Sequence, residues 1–471
     1  MNKINQPFAL IIFGASGELA RLKLFPAIYN LAVQKRLPRD FHIIGYARSK
    51  KTVGDFRKEF EDGILKNTKE KVDKELLKKI SSRVSYFQGQ YDNMEDFKKL
   101  HQYLKTVCPE KNITKLAYFS VPPVVFKDII RNLGETRTEK NEDIRLVIEK
   151  PFGEDQKSAT DLFHFVARYF DEDNVYLLDH YLGKSAVQSI LHLRHSNRFL
   201  NLMMKGPEVS NIQITAFEET GVENRISYFS QVGTIKDMVQ SHLFQILALT
   251  TMSIPITENT ESLHREKYSI LSALKFNKSQ KNIVLGQYAS YQKELCEGCP
   301  NGKETFAAVR LFIDRESWYK VPIYIRTGKK LDEKHTYVVI EMKKFGFQPK
   351  EEEPNRLIIE LYPEEKIDIR LLNKSPLDKK FKALTISDSL ASTGDTYLTE
   401  HSLLIIDVLN ENHINFLSFP EIIATWKITD EIMEFIQKNK IKNDTYKDGS
   451  KGPQSQNGLT QIDNFKWFDI H

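Results

Sequence analysis

The sequence predicts an α/β half with a parallel sheet, followed by an α+β half on a mainly antiparallel sheet. Two observations carry this. Up to about residue 180, short apolar runs alternate with amphipathic helical stretches, the pattern of strands joined by crossover helices. Beyond it, β-rich runs follow one another across turn-like segments, as antiparallel strands do. At 471 residues the chain exceeds what one core holds. The expected division is therefore residues 1–180 and 181–471.

In order, FALIIF (8–13) reads as a buried strand, with a helix from near Glu18 to about Val33. FHIIGYA (41–47) is the second strand, and RVSYFQG, KLAYFSVPP and IRLVIEKPFG are further β-rich stretches. A helical stretch near 185–198 opens the second half. EVSNIQITAFEE, ETFAAVRLFI, WYKVPIYIRTG, TYVVIEMKKF and RLIIELY then read as strands, with helices near 235–252 and 397–410. The tail DTYKDGSKGPQSQNG is rich in turn formers and reads as irregular.

The 68 basic residues nearly balance 63 acidic ones, which argues against a nucleic-acid partner. The opening residues hold a six-residue apolar run, Phe8–Phe13, too short for a signal sequence or for the ~20 residues of a membrane span. Cys296 and Cys299 form a CEGC pair with no second pair to complete a metal site, so no metal is expected. A surface loop in a reducing cytoplasm is the expected setting for them.

GASGELA places Gly14 and Gly17 between a strand and a helix. Backbone N–H groups and a helix N-terminus there suit a pyrophosphate, although a plain tight turn fits the same residues. The second strand runs into Ala47-Arg48-Ser49-Lys50-Lys51, where an NAD site usually has an acid. Arg48 there favours a 2′-phosphate, hence NADP, with NAD the weaker alternative; an ordinary solvated basic stretch is the bland reading. Lys150, ending IRLVIEK, lies at a strand end, where a nicotinamide would sit.

DHYLGK gathers Asp179, His180, Tyr181 and Lys184. If the chain is extended there, Asp179 and His180 point oppositely and need separate jobs. His180, Tyr181 and Lys184 are donors suited to a phosphate. TIKDMVQSHLFQILAL reads as a helix carrying Asp237 and His242, the latter a natural proton acceptor with pKa about 6.5. On an α-helix these two stand about 140° apart, so Asp179 is the better carboxylate for orienting His242. IRTGKKLDEKHT holds Arg326, Lys329, Lys330 and Lys334 and reads alone as a solvated turn.

Together GASGELARLKLFPAIYNL, IIGYAR, YFSVPP, EKPFG, DHYLGK, ITAFEETGVENR, KDMVQSHLFQ, VLGQY, ETFAAVRL, PIYIRTGKKL and YKDGSKGP resemble the glucose-6-phosphate dehydrogenases over nearly the whole chain. The resemblance implies a Rossmann-type N-terminal domain and a C-terminal domain on a large, mainly antiparallel sheet. The activity implied is NADP-linked oxidation of glucose 6-phosphate at C1, in a cytoplasmic homodimer or homotetramer. By matching motif positions, His242 is the general base and Asp179 its orienting carboxylate. His180, Tyr181 and Lys184 hold phosphate, Glu218 and Asp237 hold sugar hydroxyls, and Lys23, Lys329 and Lys334 contact substrate. Gly14, Ala15, Ser16, Gly17, Glu18, Leu19, Arg48, Lys150 and, more loosely, Gln90 and Tyr91 match cofactor contacts.

The chain departs from the family pattern at several positions. Glu18 replaces an Asp, Leu22 a basic residue, Ser241 an Asn and Tyr362 a Gln, while Arg225-Ile226-Ser227-Tyr228 replaces Arg-Gly-Gly-Tyr. These bear on substrate affinity and sugar selectivity more than on the reaction. Two other readings stand beside it: an oxidoreductase of unphosphorylated sugars, and a binding or regulatory protein that keeps the fold.

Overall fold

The computed structural model describes residues 4, 6–68, 70–108, 113–137, 142–257, 259–346, 352–377, 380–390 and 398–470. Two units divide the chain: Met1–Lys184 with Thr393–Phe419, and Ser185–Ser392 with Pro420–His471.

The first unit holds a six-stranded sheet of β1 (Phe8–Phe13), β2 (Phe41–Ala47), β3 (Val84–Gln88), β4 (Thr114–Phe119), β5 (Ile144–Glu149) and β6 (Val175–Leu178). Every pairing is parallel, in the order β3-β2-β1-β4-β5-β6. Strands of such a sheet are covered on both faces, which is why β1 reads as an unbroken apolar run buried along its length and β4 is buried at every residue but Lys115. The strand order reverses between β1 and β4, the place where open α/β sheets bind ligands.

Residues near 400 were expected in the second half, yet they complete this first core. The helix Glu400–Leu409 buries Leu404, Ile405, Ile406, Val408 and Leu409 against it. Arg145, buried on β5, donates to the carbonyls of Val408 (2.7 Å) and Leu409 (3.1 Å), satisfying that helix's end.

The second unit is built on β7 (Val209–Phe217), β8 (Leu274–Lys275), β9 (Ile283–Tyr288), β10 (Phe306–Ile313), β11 (Ile323–Gly328), β12 (His335–Met342), β13 (Arg356–Tyr362), β14 (Lys366–Asn373), β15 (Lys382–Ser389) and β16 (Asn443–Tyr446). The order is β15-β14-β13-β12-β7-β11-β10-β9-β16, with β8 on β10. All pairs are antiparallel except β7 with β11 and β9 with β16.

Three expectations are corrected here. The tail is not irregular: Asp444, Thr445 and Tyr446 belong to β16, and a short helix follows at Asn457–Gln461. Cys296 and Cys299 are joined as a disulfide rather than lying as two thiols. The helix expected over 235–252 is a π-helix from Ile235 to Leu243 that becomes α-helical at Phe244–Thr251.

Candidate active site

In the first unit the carboxyl ends of all six strands share one edge, and the candidate residues fall along it. Gly14 follows β1 with φ +82°, and a Cβ on it would stand 2.0 Å from the Ser120 carbonyl oxygen at the end of β4. Only glycine fits on both counts. Gly14 and Ala15 donate their N–H groups to the Tyr46 carbonyl, pinning the turn to β2. Ser16, Gly17 and Leu19 line the way into the helix, and Glu18 is exposed at its start. The helix runs through a π stretch, Ala20–Leu24, on which Lys23 and Leu22 are exposed.

Arg48 is exposed past β2, its guanidinium 5.6 Å from the centre of the Tyr91 ring. Burial pushes the Tyr91 hydroxyl up, while Arg48 and a hydrogen bond with the Gly14 backbone oppose the shift. Asn132 holds the Tyr91 carbonyl at 2.9 Å, and Tyr46 donates to the Gln90 carbonyl at 2.7 Å. The loosely matched pair Gln90-Tyr91 thus stands beside the glycine turn, joined to it by side chains.

Lys51, which sequence reasoning passed over in favour of Arg48, donates to the Ser16 hydroxyl (3.0 Å) and to Glu59 (2.6 Å). Lys150 follows β5, half-buried, next to Glu149, whose carboxylate accepts from the buried Tyr118 hydroxyl. The close glycine turn, the helix N-terminus and the cations beyond β2 together fit a phosphorylated dinucleotide.

DHYLGK leaves β6 as a turn, so the extended case considered above does not hold: Leu182 N–H returns to the Asp179 carbonyl (3.0 Å) and Lys184 N–H to that of Tyr181 (3.1 Å). Asp179 is wholly buried, and its Oδ1 accepts the Tyr181 N–H at 2.9 Å. The ring of His180 packs edge-on against Tyr181, and the Lys184 ammonium lies 3.7 Å from the centre of the same ring. The Tyr181 ring therefore contacts both His180 and Lys184.

In the second unit strand register does the assembly. β7 and β11 are parallel with Phe217 opposite Gly328, so Glu218 and Lys329 emerge side by side from neighbouring strand ends. Their side chains pair at 2.5 Å. On the other flank of β7, His335 of β12 stands opposite Phe217, which brings Lys334 to the same edge. Lys334 is exposed, 4.3 Å from the ring centre of Tyr362, so this departure from the family pattern covers a candidate ligand. Lys329 is buried rather than solvated, and Arg326 is a structural residue: it donates to Thr215 (3.0 Å) and Tyr337 (3.1 Å) inside the sheet.

Asp237 and His242 sit on the π-helix, both buried. Hydrogen bonds of a π-helix run from i to i+5, so residues five apart lie closer in angle than on an α-helix. The α-helical separation of about 140° that set Asp237 aside therefore does not apply. Asp237 Oδ2 lies 3.9 Å from Lys329 Nζ and Oδ1 lies 3.6 Å from Arg225. Two further residues were missed. Gly233, at φ +76°, breaks the chain before the π-helix, and buried Glu304 accepts the Ile235 N–H at 3.0 Å, capping its start. Neither has a local sequence signature.

Two carboxylates, a buried lysine and a buried imidazole can hold hydroxyl groups and accept a proton. Residues 11–189 match the model of the glucose-6-phosphate dehydrogenase NAD binding domain, and residues 191–468 that of its C-terminal domain. The glucose-6-phosphate 1-dehydrogenase of Schizosaccharomyces pombe is 33% identical, covering 96% of this chain and 93% of its own. An Arabidopsis thaliana relative named glucose-6-phosphate 1-dehydrogenase 5, cytoplasmic, is 32% identical, with 96% and 90% covered. A solved glucose-6-phosphate dehydrogenase in complex with its substrate glucose 6-phosphate superposes with a TM-score of 0.92 at 30% identity, with 100% of each chain covered. Matched in both halves and along nearly all its length, the chain belongs to the glucose-6-phosphate dehydrogenase family.

Proposed function

We propose that this chain oxidises D-glucose 6-phosphate at C1 to 6-phospho-D-glucono-1,5-lactone, with NADP as acceptor, as the first step of the oxidative pentose phosphate pathway. The observation that carries it is the buried His242 on a π-turn shared with Asp237, beside the Glu218–Lys329 strand ends, in a chain of this family. NADP, when bound along the carboxyl edge of the first unit, supplies the hydride acceptor. Gly14 to Leu19, Arg48, Gln90, Tyr91 and Lys150 hold it there.

The protein's own part is a proton and a position. His242 takes the proton of the C1 hydroxyl, and Asp179 is its orienting carboxylate, on the strength of the family motif. His180, Tyr181 and Lys184 hold the phosphate, so binding energy remote from C1 orients the reacting carbon. Glu218 and Asp237 accept sugar hydroxyls, with Lys329, Lys334 and Lys23 as further substrate contacts.

A cytoplasmic setting is part of the proposal; no helix among the described residues is long and apolar enough to cross a membrane. So is a homodimer or homotetramer, supported by β15, exposed along its length with Leu384 and Ile386 on one face. The test is the rise in reduced-nicotinamide absorbance with glucose 6-phosphate or glucose, run with NADP and with NAD. A rate with glucose 6-phosphate and NADP well above the other three combinations supports the proposal; binding without turnover refutes it.

A further inference from the structure

Lys51 stands where the two cofactor-facing segments of the first unit meet. Its ammonium donates to Ser16 Oγ, in the glycine turn after β1, at 3.0 Å. Its backbone belongs to the segment leaving β2, three residues beyond Arg48. In such folds the first turn takes the pyrophosphate and the end of the second strand takes the adenine-side ribose. A cation bridging the two lies between those subsites. Tyr86 reinforces the junction, donating its hydroxyl to the Ser49 carbonyl and, at 3.4 Å, to that of Ala47.

Glu59 contacts this ammonium through both carboxylate oxygens, at 2.6 and 2.7 Å. The Lys51 side chain is 19% exposed and that of Glu59 31%, so the pair is partly solvated. Exposed ion pairs of this kind contribute little net energy. A phosphate dianion offers a stronger partner for the same ammonium, in a charge-assisted hydrogen bond. Meanwhile Glu59 and Ser16 hold the long side chain in place, reducing the entropy lost when it takes a ligand.

We infer that Lys51 is a second ligand of the cofactor's 2′-phosphate and, with Arg48, sets the preference for a 2′-phosphorylated dinucleotide over an unphosphorylated one. This rests on the dehydrogenase assignment, and deepens its cofactor site.

The test is calorimetric titration of the full-length protein with 2′,5′-ADP and with 5′-AMP, which differ in the 2′-phosphate. Lys51→Met should weaken 2′,5′-ADP about 10- to 100-fold, the value of a hydrogen bond to a charged group, and leave 5′-AMP within about twofold. Lys51→Arg should recover most of the loss. Equal losses for both nucleotides, or none, overturn the inference and leave Lys51 a partner of Glu59 alone. A wild-type protein that binds the two equally overturns it as well, together with the NADP preference. Turnover of glucose 6-phosphate by that same protein keeps the dehydrogenase assignment standing in either case.

Discussion

His242 is buried on its π-turn, and a base removed from bulk water at the reacting hydroxyl is expected to act on turnover. His242→Asn should lower kcat about 10²- to 10⁴-fold with little change in KM. Loss of substrate affinity at normal turnover would give the base's role to another residue. The two carboxylates separate in the same assay. Asp179→Asn should reduce kcat and alter the pH profile, as loss of an orienting carboxylate does. Asp237→Asn should mainly raise KM, since Asp237 stands with Lys329 and Arg225 among polar groups suited to sugar hydroxyls. The opposite split would make Asp237 the orienting group, which its place on the π-turn permits.

At the scale of the element, the π-helix depends on what caps it. Glu304 meets its first N–H, and a Cβ at Gly233 would come within 2.5 Å of the same carboxylate. Burial pushes the Glu304 carboxyl up, and the Ile235 N–H, with Lys303 and Lys236, offsets only part of that. The folded protein therefore holds the Glu304 proton more tightly than the unfolded chain does. Its contribution to stability is complete at low pH and falls as pH rises from the ordinary carboxylate range through the raised value. Glu304→Gln keeps an oxygen acceptor without the charge. Thermal unfolding should show the variant equal to wild type in acid and more stable at neutral pH, the gap opening as pH rises. A difference that does not vary with pH would exclude a buried charge as the cause.

Across the whole molecule, β15 ends the larger sheet with a strand exposed on every residue, and an exposed apolar strand is a template for pairing. Leu384→Glu with Ile386→Glu should shift sedimentation to the monomer while leaving the fold's circular dichroism unchanged. An unchanged sedimentation coefficient would remove β15 as support for the proposed oligomer. At the same scale Thr393–Phe419 joins the first unit although it follows most of the second in sequence. The apolar face of Glu400–Leu409 identified a helix but not its destination, because an apolar stripe specifies burial and not a partner.

Much was legible in the chain because local rules suffice for it. The parallel first sheet follows from short apolar runs alternating with helical patterns, and Gly14 from a turn that no larger residue can enter. The resemblance to the family named His242, Asp179 and the DHYLGK donors as candidates, and the substitutions above test the first two. What needed the fold was any feature made by long-range register or by a departure from ideal geometry. Glu218 and Lys329 are 111 residues apart and meet because β7 and β11 run parallel. Lys51 and Ser16, 35 apart, meet because β1 and β2 do. The π-helix brought Asp237 and His242 closer in angle than an α-helix would, since 3.6-residue periodicity cannot foretell a widened turn. Propensity and pattern act over a few residues, whereas the groups that hold a substrate are neighbours only after the strands have paired.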